Sequence, residues 1–315
     1  MSIVKQLESA DDRFLTTRAF AAMCGPSIRD CFALGYRFDR EVGFTAGDSE
    51  SWLLRYEPAA GQPLGCRLSL AFGGVEPLTG LWRSPSGSVW VSSGDGAVIV
   101  LAGSSSPIRH PLASSIDGVH GIRDDLVFAW SFAEARLFRF DGAQWHELSS
   151  PGRILRMSGA SEDALLAGGA GGVLAWWEGA AFRALSAPYP GTFAGVTVGD
   201  ERAWACTHEG DLFEVSRDGL QRRSRFEAAL LDVVEWQGRP LVAAGDSGVL
   251  EPGADTLELS PVGERFMAES FGRGASASVI VMADTGMVQT RDFVSYDVLP
   301  DFHFHEARDG NPPLW

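Results

Sequence analysis

The chain has 315 residues, of which 45% are hydrophobic, and its mean hydropathy is +0.00, as in globular proteins that bury a substantial core. Its formal net charge is −15 and its isoelectric point is near 4.8. This charge argues against nucleic acid or an anionic membrane as the partner, because both repel a negative surface. It is compatible with a basic protein partner or with simple solubility.

The cysteines stand at positions 24, 31, 66 and 206, and none belongs to a C-x-x-C pair. The sequence therefore predicts neither a zinc ribbon nor a redox motif, and reduced, buried thiols favour a cytoplasmic location. No apolar run approaches the roughly 18 residues of a membrane span, and residues 1–6 lack the apolar core of a signal peptide. We expect a cytoplasmic protein that uses no cofactor and no metal ion.

The first 29 residues differ in pattern from the rest of the chain. Ser9 is followed three positions later by Asp12, as in a capping box, and apolar residues then recur at helical spacing from Phe14 to Met23. Gly25 and Pro26 would end such a helix. We predict a short helix over residues 10–23 within an N-terminal cap (1–29), followed by the main domain (30–300) and a C-terminal tail (301–315).

Hairpin turns recur through the main domain. Gly245-Asp246-Ser247-Gly248 separates two apolar runs, and glycine permits the positive φ angles that tight hairpin turns require. Comparable turns occur at 47–49, 94–96, 131–134, 169–172, 208–211 and 284–286. From Gly96 to Gly286 the successive turns are 37 to 39 residues apart, which indicates an internal repeat.

Each repeat holds four short apolar runs, one before the hairpin, two within it and one after it. Four strands in about 38 residues make the blade of a β-propeller, and a ring of blades buries both faces of each sheet. We therefore predict an all-β fold, a seven-bladed β-propeller of four-stranded antiparallel blades. Residues 3–7 or 302–305 could add a strand to the last blade and latch the ring.

The repeat resembles the short propeller repeats of the BNR, YVTN and photosystem-assembly-factor-like type. The sequences VWVSSGDG at 89–96 and FDGAQW at 140–145 match that consensus best. The Trp-Asp dipeptide of WD repeats is missing, and Ser216-Arg217-Asp218-Gly219 is only a fragment of an Asp-box. The resemblance covers about residues 30–300 and implies the architecture, whereas propellers in general serve as enzymes, receptors and scaffolds.

Acidic residues accompany six of the seven hairpin turns, and all of these turns open on one rim of a propeller. We predict that this acidic rim binds a protein partner, although Asp beside Gly is also a favoured turn former. The rim residues are Asp48, Asp95, Glu134, Glu209, Asp211, Asp246 and Asp284.

Other residues are weaker candidates for chemistry. A first set stands in or near the strands that line the central channel: Arg83, His120, Arg156, Asp232, Glu235 and Glu269. His303 and His305 could share one strand face as a metal pair, and Cys206 with His208 resembles a nucleophile with its base.

Three functions fit these patterns. The first is a non-catalytic interaction protein that binds a basic partner through its acidic rim, for example an immunity-type inhibitor of a basic toxin. The second is an enzyme, a lyase or hydrolase, with its site in the central channel. A compact cluster of His, Arg and acid there would favour the enzyme, and an apolar or plugged channel would contradict it. The third is a structural scaffold in a larger assembly.

Overall fold

The computed structural model describes residues 16–39, 50–62, 65–74, 76–103, 106–185, 189–199, 202–253, 256–260, 267–274, 278–283, 286–292 and 294–300. These residues form seven four-stranded antiparallel sheets. Each sheet consists of four consecutive strands, so each is one blade of a seven-bladed β-propeller, as the sequence predicts.

The first four blades take the N-terminal half of the chain. Blade 1 consists of β1 (Thr16–Ser27), β2 (Asp30–Asp39), β3 (Glu50–Pro58) and β4 (Cys66–Gly74). Blade 2 consists of β5 (Leu78–Arg83), β6 (Val89–Ser93), β7 (Ala97–Leu101) and β8 (Ile108–Pro111). Blade 3 consists of β9 (Gly118–Arg123), β10 (Leu126–Ser131), β11 (Arg136–Phe140) and β12 (Trp145–Leu148). Blade 4 consists of β13 (Ile154–Ser161), β14 (Ala164–Gly169), β15 (Leu174–Trp177) and β16 (Phe182–Ala184), with a 3₁₀ turn at Ala170–Gly172.

The remaining three blades complete the ring. Blade 5 consists of β17 (Phe193–Val198), β18 (Ala203–Thr207), β19 (Asp211–Val215) and β20 (Leu220–Arg225). Blade 6 consists of β21 (Asp232–Trp236), β22 (Arg239–Ala243), β23 (Val249–Pro252) and β24 (Leu257–Leu259). Blade 7 consists of β25 (Ala268–Phe271), β26 (Val279–Ala283), β27 (Gly286–Thr290) and β28 (Tyr296–Pro300).

The first strands of neighbouring blades contact one another around the whole ring, including β25 with β1, and thus surround a central channel. The second strands are packed between blades. Every residue of β6, β10, β18 and β26 is buried, because the adjacent blades cover both faces of these sheets. The outermost strands, such as β8, are largely exposed. The core therefore runs continuously from blade to blade.

The predicted N-terminal helix is wrong. Residues 16–23 belong to β1, which pairs with β2 from Thr16 opposite Asp39 to Ser27 opposite Asp30. The alanines of this segment favour a helix, but helix propensity is a weak preference that tertiary contacts override. Here the ring needs a seventh innermost strand, and β2 supplies its hydrogen bonds. Phe20, Met23 and Cys24 are consequently buried. Part of the segment assigned to the cap is thus the first strand of blade 1.

Blade 1 and blade 7 close the ring through direct contacts. The Gly25 N–H donates to the Arg273 carbonyl at 2.9 Å, and the Arg273 N–H donates to the Met23 carbonyl at 3.0 Å. The Ile28 N–H donates to Gln289 Oε1 at 3.1 Å. The two segments predicted to latch the ring, 3–7 and 302–305, lie outside the described residues.

Candidate functional site

The acidic hairpin turns share one rim, because every turn between the second and third strands of a blade opens on the same side of the ring. We call this side the turn face. Asp95 and Asp246 are exposed there, and their carboxylates make no hydrogen bond or ion pair with any described residue. Asp48 and Asp284 lie outside the described residues.

The other three predicted rim acids are engaged by neighbouring groups. Glu134 lies 3.5 Å from the guanidinium of Arg136. Asp211 is 4% exposed and pairs with Arg222 at 3.4 Å. Glu209 accepts the Thr192 N–H at 3.2 Å. The exposed, unpaired charge of the described rim is therefore concentrated at blades 2 and 6.

Tyr189 connects two of these acids. Its hydroxyl lies 3.0 Å from Glu209 Oε2 and 3.5 Å from Asp211 Oδ2. Partial burial acts to raise the pKa of Glu209, but hydrogen bonds from the Thr192 N–H and the Tyr189 hydroxyl outweigh it and lower that pKa. Glu209 is thus an ionised group that holds the loop before β17 in place.

An ion pair lies in the wall of the central channel. Asp232, at the start of β21, is 2% exposed and accepts hydrogen bonds from the Val233 N–H at 2.9 Å and the Phe271 N–H at 3.0 Å. The Arg273 guanidinium completes this set at 2.6 Å from Asp232 Oδ1. The buried carboxylate is fully compensated, as a charge removed from water must be.

His120 on β9 lines the channel beside this pair. Its Nε2 lies 2.9 Å from the Gly159 carbonyl oxygen, and because a carbonyl only accepts, Nε2 carries the proton. Burial lowers the pKa of His120 to about 4; the bond to Gly159 acts against this shift and the charge of Arg273 adds to it. His120 is therefore neutral at pH 7.

Arg156 on β13 differs from the other charged residues of the channel. It lines a cavity of about 200 Å³ inside the channel, which we call the channel cavity. Its guanidinium makes no hydrogen bond or ion pair with a described residue. Asp117 lines the same cavity, but its carboxylate accepts the Phe132 N–H of its own blade at 2.7 Å.

A wider space of about 700 Å³ opens on the side of the ring opposite the turn face; we call it the funnel. Its wall includes Leu81, Trp82 and Met157. Arg83 also lines it, at 3.8 Å from Asp30. His120, Met157 and Arg273 line both spaces, so they mark where the funnel meets the channel cavity.

Only some of the channel residues predicted from the sequence come together in the structure. His120, Arg156 and Asp232 line the channel cavity, whereas Glu235 accepts the indole N–H of Trp204 at 3.1 Å between blades and Glu269 is exposed on β25. A missed residue is Arg273, which follows the last inner strand and carries no sequence motif. Trp130 was missed as well, because a core tryptophan and a cavity-lining tryptophan look alike in sequence.

The described residues give no support to Cys206 with His208 as a nucleophile and its base. Burial raises the pKa of Cys206, so its thiol is protonated at neutral pH and is a poor nucleophile. His208 is exposed. His303 and His305 lie outside the described residues. Within the described part of the chain, no group of three or more His, Cys, Asp and Glu could hold a metal ion, and no helix is long and apolar enough to span a membrane.

Comparisons with known proteins extend the assignment of the fold. No family model and no curated protein matches the sequence. Virginiamycin B lyase from Staphylococcus aureus superposes with a TM-score of 0.61 at 10% identity, over 87% of this chain and 97% of the other. YCF48 bound to D1 peptide superposes with a TM-score of 0.61 at 13% identity, over 90% and 94%.

A third solved structure gives the same result. The WD40 β-propeller domain of Doa1 superposes with a TM-score of 0.63 at 11% identity, over 87% of this chain and 94% of the other. Identities this low show the fold alone. The chain is a seven-bladed β-propeller with the architecture that its repeat resembles, and this class of protein includes both enzymes and binding modules.

Proposed function

We propose that this protein is a non-catalytic interaction module that binds a basic protein partner through its turn face. The observation that carries the proposal is that the carboxylates of Asp95 and Asp246 are exposed on that face and pair with no described residue. In a chain with a net charge of −15, these groups favour encounter with a positively charged surface.

The position of these two acids defines the footprint of the partner. Blades 6 and 2 are separated in the ring by blades 7 and 1. The sequence assigns Asp284 and Asp48 to the corresponding turns of those two blades, which remains a prediction. A partner that contacts this arc of four blades would cover one side of the turn face. We propose a protein partner there and neither nucleic acid nor membrane, because both of the latter carry negative charge.

The channel cluster has the composition that would favour an enzyme, since it contains His120, Asp232 and Arg273. Its hydrogen bonds favour binding instead. Asp232 accepts three donors, and the protonated nitrogen of His120 is bonded to a backbone carbonyl. A general base needs a free lone pair close to a substrate proton and a pKa near the working pH. The carboxylate of this cluster is already committed to structure, and burial lowers the pKa of His120 to about 4, which makes its ring a weak base. We therefore rank the lyase or hydrolase second.

One of the similar solved structures offers a precedent for a binding role. The YCF48 structure contains a bound D1 peptide, and it shows that a propeller of this size can bind a protein segment. One concrete form of the proposed role is a cytoplasmic inhibitor or immunity-type protein that neutralises a basic toxin. A scaffold in a larger assembly is the other non-catalytic form, and it differs in having several partners.

The test is quantitative capture of partners by the full-length chain from a lysate of the source organism, at 50 mM and 500 mM salt. We expect one stoichiometric partner with a basic isoelectric point that is retained at low salt and lost at high salt. With that partner purified, Asp95→Asn/Asp246→Asn should slow association about three- to tenfold. Adding Asp48→Asn and Asp284→Asn should slow it further.

A matched control uses two exposed acids from turns on the opposite face, Asp163→Asn/Asp218→Asn, which lose the same charge. This control should associate at the rate of the wild type after a small uniform correction for net charge. Equal losses in both double variants, an acidic partner or salt-independent capture would contradict the proposal. Several partners captured together would favour the scaffold.

A further inference from the structure

We propose that the funnel is a binding site for a small neutral amide with an apolar body, in which Trp82 donates to the amide carbonyl and His120 accepts the amide N–H. The funnel lies on the side of the ring opposite the turn face, so this site does not depend on the function proposed for that face. It is assigned from an accessible acceptor and an accessible donor without described partners, from the paired charges around them and from the size of the space.

The acceptor is Nδ1 of His120. The Nε2–H of this ring donates to the Gly159 carbonyl at 2.9 Å, and burial keeps the ring neutral at pH 7, so Nδ1 carries a lone pair. Within the described part of the chain no group donates to Nδ1, and the atom keeps accessible surface. Because His120 lines the funnel, a ligand in this space can supply the missing donor.

The donor is the indole Nε1–H of Trp82. This side chain is half-buried in the wall of the funnel. Its N–H donates to no described residue and, like Nδ1 of His120, keeps accessible surface. The centroids of the two rings are 6.2 Å apart, a separation that one amide group with a hydrogen bond at each end can span. A neutral donor beside a neutral acceptor matches the carbonyl and the N–H of an amide.

The charges of the funnel favour a neutral ligand over an ion. Among the described residues, the charged side chains that line this space are those of Asp30, Arg83 and Arg273. Arg83 lies 3.8 Å from Asp30, and Arg273 is paired with Asp232 at 2.6 Å. Each charge thus has an opposite charge beside it, whereas an ionic ligand would bring a charge without a counter-ion into a confined space.

The size of the funnel and its apolar side chains suit a small ligand. The volume of about 700 Å³ is typical of small-molecule sites in proteins. Leu81, Met157 and Val198 line the space together with the two rings. These side chains can bury an apolar body, while the donor and the acceptor set the orientation of the amide. A few oriented polar groups beside apolar side chains are the usual composition of a ligand site.

The experiment measures binding of N-benzylacetamide to the full-length protein by titration calorimetry and saturation-transfer NMR. We expect a 1:1 stoichiometry and a dissociation constant of about 1 mM. Benzyl acetate has nearly the same shape but no N–H, and it should bind at least about fivefold more weakly because Nδ1 of His120 then lacks a donor. The charged phenylacetate should also bind more weakly than the amide.

Variants assign the two hydrogen bonds. Trp82→Phe should weaken the amide and the ester alike, by about three- to tenfold, because both ligands have a carbonyl. His120→Phe removes the acceptor and should bind the amide and the ester within about twofold of each other. His146→Phe changes an exposed histidine on the outer strand β12 and should retain the preference for the amide, as should Asp95→Asn/Asp246→Asn.

A spectroscopic measurement tests the site without relying on the stability of a variant. The indole ¹H–¹⁵N signal of Trp82 is identified as the one that is missing from the spectrum of Trp82→Phe. In the wild type, this signal should shift as N-benzylacetamide is added, with the midpoint found by calorimetry. Near-UV circular dichroism verifies that His120→Phe is folded before its affinities are compared.

Five outcomes would overturn the proposal. They are equal binding of the amide and the ester by the wild type, tighter binding of phenylacetate than of the amide, an unchanged preference for the amide in folded His120→Phe, a Trp82 indole signal that does not move, and no saturable binding of the amide at about 20-fold above the expected dissociation constant. None of these outcomes bears on capture of a basic protein at the turn face, so the two proposals succeed or fail separately.

Discussion

Arg273 binds Asp232 through its side chain and, together with its backbone contacts, links three blades. Its guanidinium lies 2.6 Å from Asp232 Oδ1 in blade 6, while its own backbone, just after the inner strand of blade 7, pairs with Met23 and Gly25 in blade 1. The buried carboxylate therefore depends on a residue at the point where the ring closes. Loss of the side chain would affect both the electrostatics of the channel and the junction of the last blade with the first.

Replacing this arginine should be strongly destabilising. Arg273→Met leaves the Asp232 carboxylate buried without its countercharge, which should cost about 3 kcal/mol of unfolding free energy. Urea denaturation measures it, and Asp232→Asn/Arg273→Met should recover part of the loss because no bare charge remains. As a control, Arg239→Met breaks an ion pair with Glu251 at 3.3 Å in which the arginine side chain is 56% exposed, and it should cost no more than about 1 kcal/mol. Similar losses in both variants would contradict the assigned role of burial.

His120 should make stability depend on pH. Burial lowers its pKa to about 4, below the value near 6.5 expected in the unfolded chain, so the unfolded state takes up the proton first. Its contribution is present in full above about pH 6.5 and is lost as the pH falls toward 4. Between pH 7 and pH 5 the wild type should lose about 2 kcal/mol more than His120→Gln, measured by urea denaturation at each pH. His208→Gln, at an exposed position, should retain the loss seen in the wild type, and an identical loss in His120→Gln would refute the prediction.

Gly118 should tolerate no side chain. A methyl group there would overlap the indole ring of Trp130, which lies across the glycine. Gly118→Ala should therefore destabilise the protein by about 2 kcal/mol, as followed by thermal unfolding. Gly219→Ala is the matched control, since the space around that glycine is open. In Gly118→Ala/Trp130→Leu the loss should be smaller than the sum of the single losses, because the substitutions share one contact; additive losses would count against the overlap.

Gln289 should hold blade 1 to blade 7. Its side chain is buried, accepts the Ile28 N–H at 3.1 Å and donates to Ser278 Oγ at 2.6 Å. Gln289→Leu leaves the Ile28 N–H without an acceptor and should cost about 1–3 kcal/mol. It should also speed hydrogen exchange at Ile28, which NMR can follow directly. Gln221→Leu, on the exposed strand β20, should change neither quantity, and continued protection of Ile28 in Gln289→Leu would exclude the bond.

Much of the fold was predictable because its signals are local. A glycine turn between two apolar runs specifies a hairpin wherever it occurs, and a repeat of 37 to 39 residues places the hairpins in successive blades. Residues 16–23 are the exception, because their alanines and apolar spacing are compatible with the helix that the sequence predicts there. The segment forms strand β1 because the ring needs another inner strand at this position, where β2 supplies the hydrogen bonds.

The candidate sites depend on contacts between distant parts of the chain. The sequence predicts the positions of the rim acids, but the partners in space distinguish the exposed Asp95 from the buried Asp211. It also includes Arg156 among several channel candidates without separating it from Asp232, which is fully hydrogen-bonded.

The sequence by itself determined the repeat, the number of blades and the turns that carry charge, since these follow from residue type and spacing within about 40 residues. The tertiary structure decided how the ring closes and which charges are paired among the described residues. The physical reason is that Arg273 meets Asp232 and Met23 only after seven sheets have packed into a ring. The electrostatic state of each group is then set by neighbours that are far away in the chain.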